Sequence, residues 1–280
     1  MLRGRFENGI RMKILVINLD RSADRLERMR QIFAGAGLDF ERLAAVDGKL
    51  LPPEEQSVFS GQRNGQPVTL TPGEIGCYLS HVKAWKTLLD GTGDHVLVVE
   101  DDVHFSPKAG SILKETGWIP PDADIVKLET ARTHVRLANE TAATIGDISV
   151  RKLESQHLGT AAYIVSRAGA KKLLGLTESR KDRPIDKLMF GNDAALTIYQ
   201  LDPAPVIQDQ VLRGNFFRAD VKSLITQERK GRQKRRLNLG QKAIREILRP
   251  FRQISEGLKV ASQLFWHAIT GKPRRKIPFG

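Results

Sequence analysis

The chain has one cysteine in 280 residues, Cys77, which excludes an internal disulfide. That lone thiol falls inside a predicted helix, where cysteine usually serves as a small buried hydrophobe, and a reducing, cytoplasmic setting is the simpler expectation. No stretch approaches the ~18 uninterrupted apolar residues that a membrane-spanning helix needs. Residues 1–11 are basic but lack the apolar core, about 7 to 15 residues long, of a secretory signal. Met12 stands directly before the first apolar run, so residues 1–11 are expected to be a disordered extension ahead of an alternative start. Internal repeats are absent.

Acidic residues are scarce only at one end. Residues 213–280 hold 18 Lys and Arg against 4 Asp and Glu, whereas residues 1–212 hold 27 against 28. The net charge of +13 therefore belongs to the last quarter of the chain. Six basic residues crowd into 229–236, and from Gln241 to Ile269 apolar residues recur every three or four positions with Arg245, Arg249, Arg252 and Lys259 off that stripe. A basic amphipathic helix of this kind suits an anionic membrane surface, reached through residues 227–270 on the inner face of the cytoplasmic membrane. Packing of the same stripe on the rest of the chain is the rival expectation. Nucleic acid is a poor match, because no nucleic-acid motif is present and the aromatics lie on the apolar stripe.

Ahead of the tail, strand and helix signals alternate. Lys13–Leu19 is an apolar strand, followed by a helix with Leu26, Met29, Ile32 and Phe33 at helical spacing and Ser22 as its expected cap. Residues 40–46 read as the next strand, and 50–68 as a polar loop with at most one short helix. Thr71-Pro-Gly-Glu74 carries the marks of a helix start, a capping residue, proline at the first helical position and glutamate three residues after the cap. The stripe Ile75, Leu79, Val82, Trp85, Leu88 and Leu89 follows. Further strands are read at 96–99, 123–128 (with Glu129 at its end), 160–165 and 196–201, with weak strand signals at 148–153. Helices are read after Ser106-Pro107, from Ser166 and from Pro184. The pattern predicts an α/β domain over residues 12–212, a mostly parallel sheet with helices on both faces, followed by the tail at 213–280.

Chemistry concentrates at Val96-Leu-Val-Val-Glu-Asp-Asp102, a buried-strand pattern that ends in three carboxylates. Ligands of open α/β sheets bind beyond the carboxyl ends of the strands. Adjacent carboxylates repel unless a cation neutralises them, and oxygen-only ligands suit Mg²⁺ or Mn²⁺. A solvated acidic turn is the other reading of these residues alone. If the strand runs on, Glu100 and Asp102 share a face; if it stops at Val99, Asp101 and Asp102 are the inward pair.

Several segments together resemble glycosyltransferase family 25, the bacterial lipopolysaccharide galactosyltransferases and their collagen-modifying relatives. They are Ile17-Asn-Leu-Asp-Arg21 with Arg25, Ala45-Val-Asp-Gly48, Gly73-Glu-Ile-Gly-Cys-Tyr-Leu-Ser-His81 with Trp85, Val98–Val103, Gly159-Thr-Ala-Ala-Tyr163 with Gly169–Leu173, and Pro184-Ile-Asp186. The resemblance covers roughly residues 13–209 and leaves 131–156 poorly matched. It implies a GT-A-type fold and inverting transfer of a hexose, usually galactose, from a UDP-sugar to a saccharide or glycolipid acceptor. It further implies Mn²⁺ (or Mg²⁺) held among Glu100, Asp101 and Asp102, and Asp186 as the base. Asn18, Asp20, Arg21 and Arg25 are the implied donor-binding residues, with Ser80 and His81 lining the site. Two alternatives are a metal-dependent nucleotidyltransferase, which wants a glycine-rich loop that Asn18-Leu-Asp-Arg21 lacks, and a catalytically silent surface-binding relative, against which the intact Glu-Asp-Asp stands.

Overall fold

The computed structural model describes residues 12–63, 66–191, 195–214 and 274–280. The basic amphipathic segment 227–270 and the extension 1–11 lie outside the described residues. In chain order the elements are β1 (Lys13–Asn18), α1 (Ala23–Ala36), β2 (Glu41–Ala44), α2 (Pro53–Ser57), β3 (Ser60–Arg63), β4 (Gln66–Thr69), α3 (Pro72–Asp90), β5 (His95–Glu100), β6 (Val103–Phe105) and α4 (Ala109–Leu113). There follow β7 (Ile125–Lys127), β8 (Glu129–Thr130), β9 (His134–Val135), β10 (Ala143–Ile145), β11 (Ile148–Lys152), β12 (Ala162–Ser166), α5 (Arg167–Ser179), α6 (Ile185–Phe190), β13 (Ile198–Asp202), β14 (Val206–Gln208), α7 (Asp209–Leu212) and β15 (Arg275–Lys276).

The expected α/β architecture is present. Eight strands form one sheet in the order β10-β11-β13-β7-β12-β5-β1-β2. Six of the eight run in one direction; β11 is antiparallel to β10 and β13, and β12 is antiparallel to β5 and β7. Strands buried on both faces need apolar residues at successive positions, and β1 and β5 have them. Ile14, Val16, Leu97 and Val99 pack into one core with Met29 and Phe33 of α1 and Ile112 of α4. Leu15, Ile17, Val96 and Val98 pack into the other with α3, α5 and α6.

The start of α3 forms as its residues predict. Glu74 N–H donates to Thr71 Oγ1 at 3.3 Å and Thr71 N–H donates to Glu74 Oε2 at 2.8 Å, which satisfies two otherwise orphaned donors. The buried face of α3 is rotated from the expected stripe: Tyr78, Ser80, His81 and Ala84 are fully buried, while Leu79, Val82 and Leu89 are only partly so. Ser22 differs from its expected role, since its side chain makes no capping bond to α1. Its carbonyl instead accepts from Asn18 Nδ2 at 2.9 Å. The segment read as a loop holds the β3–β4 hairpin, whose Phe59 and Leu70 are buried at its base.

A small second sheet, β6-β14-β8, stands beyond the end of β5. β14 lies after the expected last strand, hidden by the prolines at 203 and 205 that precede it. From the tail assigned to 213–280, the last seven residues return to the domain. Ile277 is fully buried with Val135, Leu137 and Ala204, and its carbonyl accepts from Thr130 Oγ1 at 2.7 Å. No helix among the described residues is long and apolar enough to cross a membrane.

Candidate active site

β5 carries its ladder through Glu100, whose backbone N–H donates to Ala161 O at 2.8 Å and which pairs in register with Ile17. A turn at Asp101 and Asp102 follows before β6. β5 thus ends one residue past Val99 and short of Asp102, and the side-chain bonds show how the three carboxylates face. Asp101 turns back toward β1 and α1, where Asn18 Nδ2 donates to it at 2.7 Å and Arg25 at 2.9 Å. Glu100 and Asp102 face a common partner, because Gln208 Nε2 lies 3.2 Å from Glu100 Oε2 and 3.2 Å from Asp102 Oδ1.

These two carboxylates differ in charge environment. Burial, then the charges of Glu100 and Asp101, push Asp102 up to about 7, against the opposing pull of Arg25 and Gln208. Burial also works against ionisation of Glu100, but His81, Thr160 and Lys127 outweigh it and hold that carboxyl below its ordinary value. Glu100 Oε1 accepts from Thr160 Oγ1 at 2.7 Å and lies 3.3 Å from His81 Nε2. His81 is fixed from its other ring nitrogen as well. Tyr163 OH accepts from Trp85 Nε1–H at 2.9 Å and sits 2.8 Å from His81 Nδ1, so the ring is held between that hydroxyl and Glu100. His81 is thus the end of a buried relay that orients Glu100.

A cavity of about 570 Å³ opens above these groups. Five pieces of chain wall it: the start of α1 with Arg21 and Arg25, the loop Val46–Lys49, the first turns of α3, the loop Leu158–Thr160, and the start of α6 with Asp186. The Val46–Lys49 loop lies against α3 so closely that a Cβ on Gly48 would overlap Pro72 O. Ser80 pins the same loop, accepting from Val46 N–H at 2.9 Å while donating to Gly76 O at 2.6 Å.

Of the residues singled out by sequence, Arg21, Arg25, Ser80, His81, Glu100, Asp101, Asp102 and Asp186 line this one cavity. Arg21 pairs with Asp47, and Arg25 with Asp101. Asp186 accepts from Lys187 N–H at 2.8 Å in the first turn of α6. Asn18 and Asp20 are placed apart from the cavity lining. Asn18 is 2% exposed and braces Asp101 from behind, with Arg42 Nε donating to its Oδ1 at 3.0 Å. Asp20 points outward, its side chain 84% exposed and paired with Arg42. Sequence reasoning missed Gln208, Thr160 and Lys127. Thr160 stands inside the matched Gly159–Tyr163 segment, where its position beside a strand start was a usable signal; Gln208 offers none.

The donor set fits a hard divalent cation. Two carboxylates converge on one amide, and the crowding that holds Asp102 near 7 is what a cation relieves. Cys77, His81 and Glu100 also bring ligand atoms within 4.8 Å of one another. There, burial keeps Cys77 a thiol with its pKa well above the usual value, and a thiol is not a ligand for a hard ion.

Comparison with known proteins bears on this cavity. The family model for glycosyltransferase family 25 (LPS biosynthesis protein) matches residues 11–189. The lacto-N-neotetraose biosynthesis glycosyltransferase LgtB of Neisseria meningitidis is 31% identical over 215 residues, which are 69% of this chain and 73% of that protein. Human procollagen galactosyltransferase 2 is 29% identical over 189 residues, 63% of this chain and 29% of that protein. The chain therefore spans most of its bacterial relative but under a third of the animal one. Among solved structures, galactosyltransferase LgtC in complex with donor and acceptor sugar analogues aligns with 70% of this chain and 86% of its own, at 12% identity and a TM-score of 0.40.

Proposed function

The chain belongs to glycosyltransferase family 25, and from that premise and the cavity geometry we propose that it is an inverting hexosyltransferase. In this reading it moves galactose from UDP-galactose to a saccharide hydroxyl of lipopolysaccharide or another cell-envelope glycan. The observation that carries the proposal is the convergence of Glu100 and Asp102 on Gln208, within a cavity whose other walls hold Arg21, Arg25 and Asp186.

The roles follow from the chemistry of a nucleotide-diphosphate leaving group. Glu100 and Asp102 would hold Mn²⁺ or Mg²⁺, which when bound offsets the negative charge that grows on the departing diphosphate. Arg21 contributes a further cation at the cavity wall, with a guanidinium geometry suited to phosphate oxygens. Arg25 keeps Asp101 turned away, so that the turn presents Asp102. Asp186 would take the proton of the acceptor hydroxyl as the new bond to the anomeric carbon forms and the bond to the UDP oxygen breaks with its electron pair. His81 and Thr160 orient Glu100 and do not contact the donor in this assignment.

The test is UDP release from UDP-galactose with Mn²⁺ and a panel of lipopolysaccharide core saccharides. Release that disappears in Asp102→Ala supports the reading; background release with every UDP-hexose sinks it. Pyrophosphate release from UTP and a hexose 1-phosphate, with no UDP release from UDP-galactose, would favour the nucleotidyltransferase alternative. Asp186→Asn should lose turnover while keeping UDP affinity, and loss of Mn²⁺ affinity would make Asp186 a ligand instead. The basic run at 229–236 supports a peripheral hold on anionic membrane. Replacing its six basic residues with glutamine should release the protein from phosphatidylglycerol vesicles, and unchanged binding would remove the membrane from the proposal.

A further inference from the structure

Beneath the cavity lies an ion pair that none of these roles uses. Lys127, at the end of β7, is 0% exposed, and Glu129, at the start of β8, is 2% exposed. Lys127 Nζ donates to Glu129 Oε1 at 2.8 Å and to the carbonyl of Gly159, and it stands 4.1 Å from the centre of the Phe190 ring. The three ammonium hydrogens are thus accounted for by a carboxylate, a loop carbonyl and an aromatic face. Glu129 Oε1 also accepts from Ala161 N–H at 2.8 Å. Gly159 passes so near that a Cβ there would lie 3.1 Å from both Glu129 carboxylate oxygens, and its φ of +110° already demands glycine.

We infer that Lys127 and Glu129 are positioning residues that hold two walls of the site in register. One wall is the loop Gly159–Ala161, whose Thr160 hydroxyl is bonded to Glu100. The other is α6, which ends at Phe190 over the Lys127 ammonium and carries Asp186 in its first turn. The two walls serve the two halves of the chemistry, leaving-group stabilisation and proton removal, so a single buried ammonium fixes their spacing. Stability alone is a poor reason for the pair. Desolvating two ions cancels much of their attraction, and apolar residues of similar volume often do as well or better. What apolar residues cannot do is bond the Gly159 carbonyl and the Ala161 amide while touching α6. The assignment of Glu100 and Asp186 rests on the proposed function; the joining of the walls does not.

The decisive variant is Lys127→Met combined with Glu129→Leu, which removes both charges together. Its melting temperature, its kcat and KM for UDP-galactose, and amide exchange at Thr160 on one wall and at Lys187 and Leu188 of α6 on the other are measured in the full-length protein. We expect a melting temperature within a few degrees of wild type, kcat lowered at least tenfold with a smaller change in KM, and exchange accelerated at least tenfold on both walls at once. Wild-type turnover, or acceleration on one wall only, would overturn the inference. If the double variant fails to fold, Gly159→Ala disturbs the same junction from the loop side and is read by the same criteria. Absence of UDP release in the wild type would defeat the proposed function, while the exchange data would still decide whether the pair joins the walls.

Discussion

Asp102→Asn should make the protein more stable, by an amount that grows as pH rises between the unfolded and folded pKa values of Asp102. The carboxyl of Asp102 has its pKa raised from 3.8 in the unfolded chain to about 7 in the fold, chiefly by burial and by Glu100. Between those values the folded protein binds a proton that the unfolded chain has released, so stability falls as pH rises through the window and is lowest above pH ~7. At 1.36 kcal/mol per pH unit, the full cost has a ceiling of about 4 kcal/mol. Asparagine can still accept from Gln208 and never ionises, so the variant escapes that cost. Urea denaturation in EDTA should show the stability advantage of Asp102→Asn over wild type growing by about 2–3 kcal/mol between pH 5 and pH 8. Mn²⁺ should then stabilise wild type at pH 8, with a growing fraction of a proton released on binding as pH falls toward 7, and leave the variant unmoved. Asp101→Asn makes a sharp contrast. It removes a paired carboxylate from Asn18 and Arg25, and should destabilise the protein at pH 8. The reasoning fails if Asp102→Asn is the less stable protein in EDTA at pH 8, or if Mn²⁺ stabilises variant and wild type alike.

Three further outcomes are expected. His157 is buried and neutral, its Nε2 accepting from Ala131 N–H and its Nδ1–H donating to Gln200, with burial and Lys127 pulling its pKa from 6.5 to about 3. The unfolded chain therefore binds the extra proton below pH ~6.5, and wild type should lose about 2 kcal/mol more than His157→Gln between pH 7.5 and 5 in urea melts. Trp85→Phe removes the donor to Tyr163 OH and leaves a void at a fully buried position, together costing about 2–4 kcal/mol by the same melts, and a proton NMR shift of the His81 ring should report the altered relay. Ile277→Ala empties a fully buried position in the returning C-terminal segment and should cost about 2–4 kcal/mol by calorimetry while leaving UDP affinity unchanged.

How far such a site can be read ahead of its coordinates depends on how local its determinants are. The start of α3 was legible because Thr71, Pro72 and Glu74 act on one another within a single turn. β1 and β5 were legible because burial on both faces demands consecutive apolar residues, and Val96 to Val99 meet that demand alone. The hairpin at β3–β4 was not, since its polar strands pair with each other without an apolar run to mark them, and the three-residue β14 was not, since it is held by β6 and β8 far away in the chain. The acidic strand end shows the boundary most sharply. Its existence could be read from Glu100-Asp-Asp102, but which carboxylates face inward turns on whether β5 ends at Val99 or Glu100. That is decided by a hydrogen bond from Glu100 N–H to Ala161, 61 residues further along the chain. Ala161, the residue just before the antiparallel β12, supplies that bond, and with the pairing of Glu100 to Ile17 of β1 it extends β5 by the one residue that precedes the turn. A side chain's facing changes with each residue of strand, and for this reason the chemistry of the turn is set by a pairing that no local pattern records.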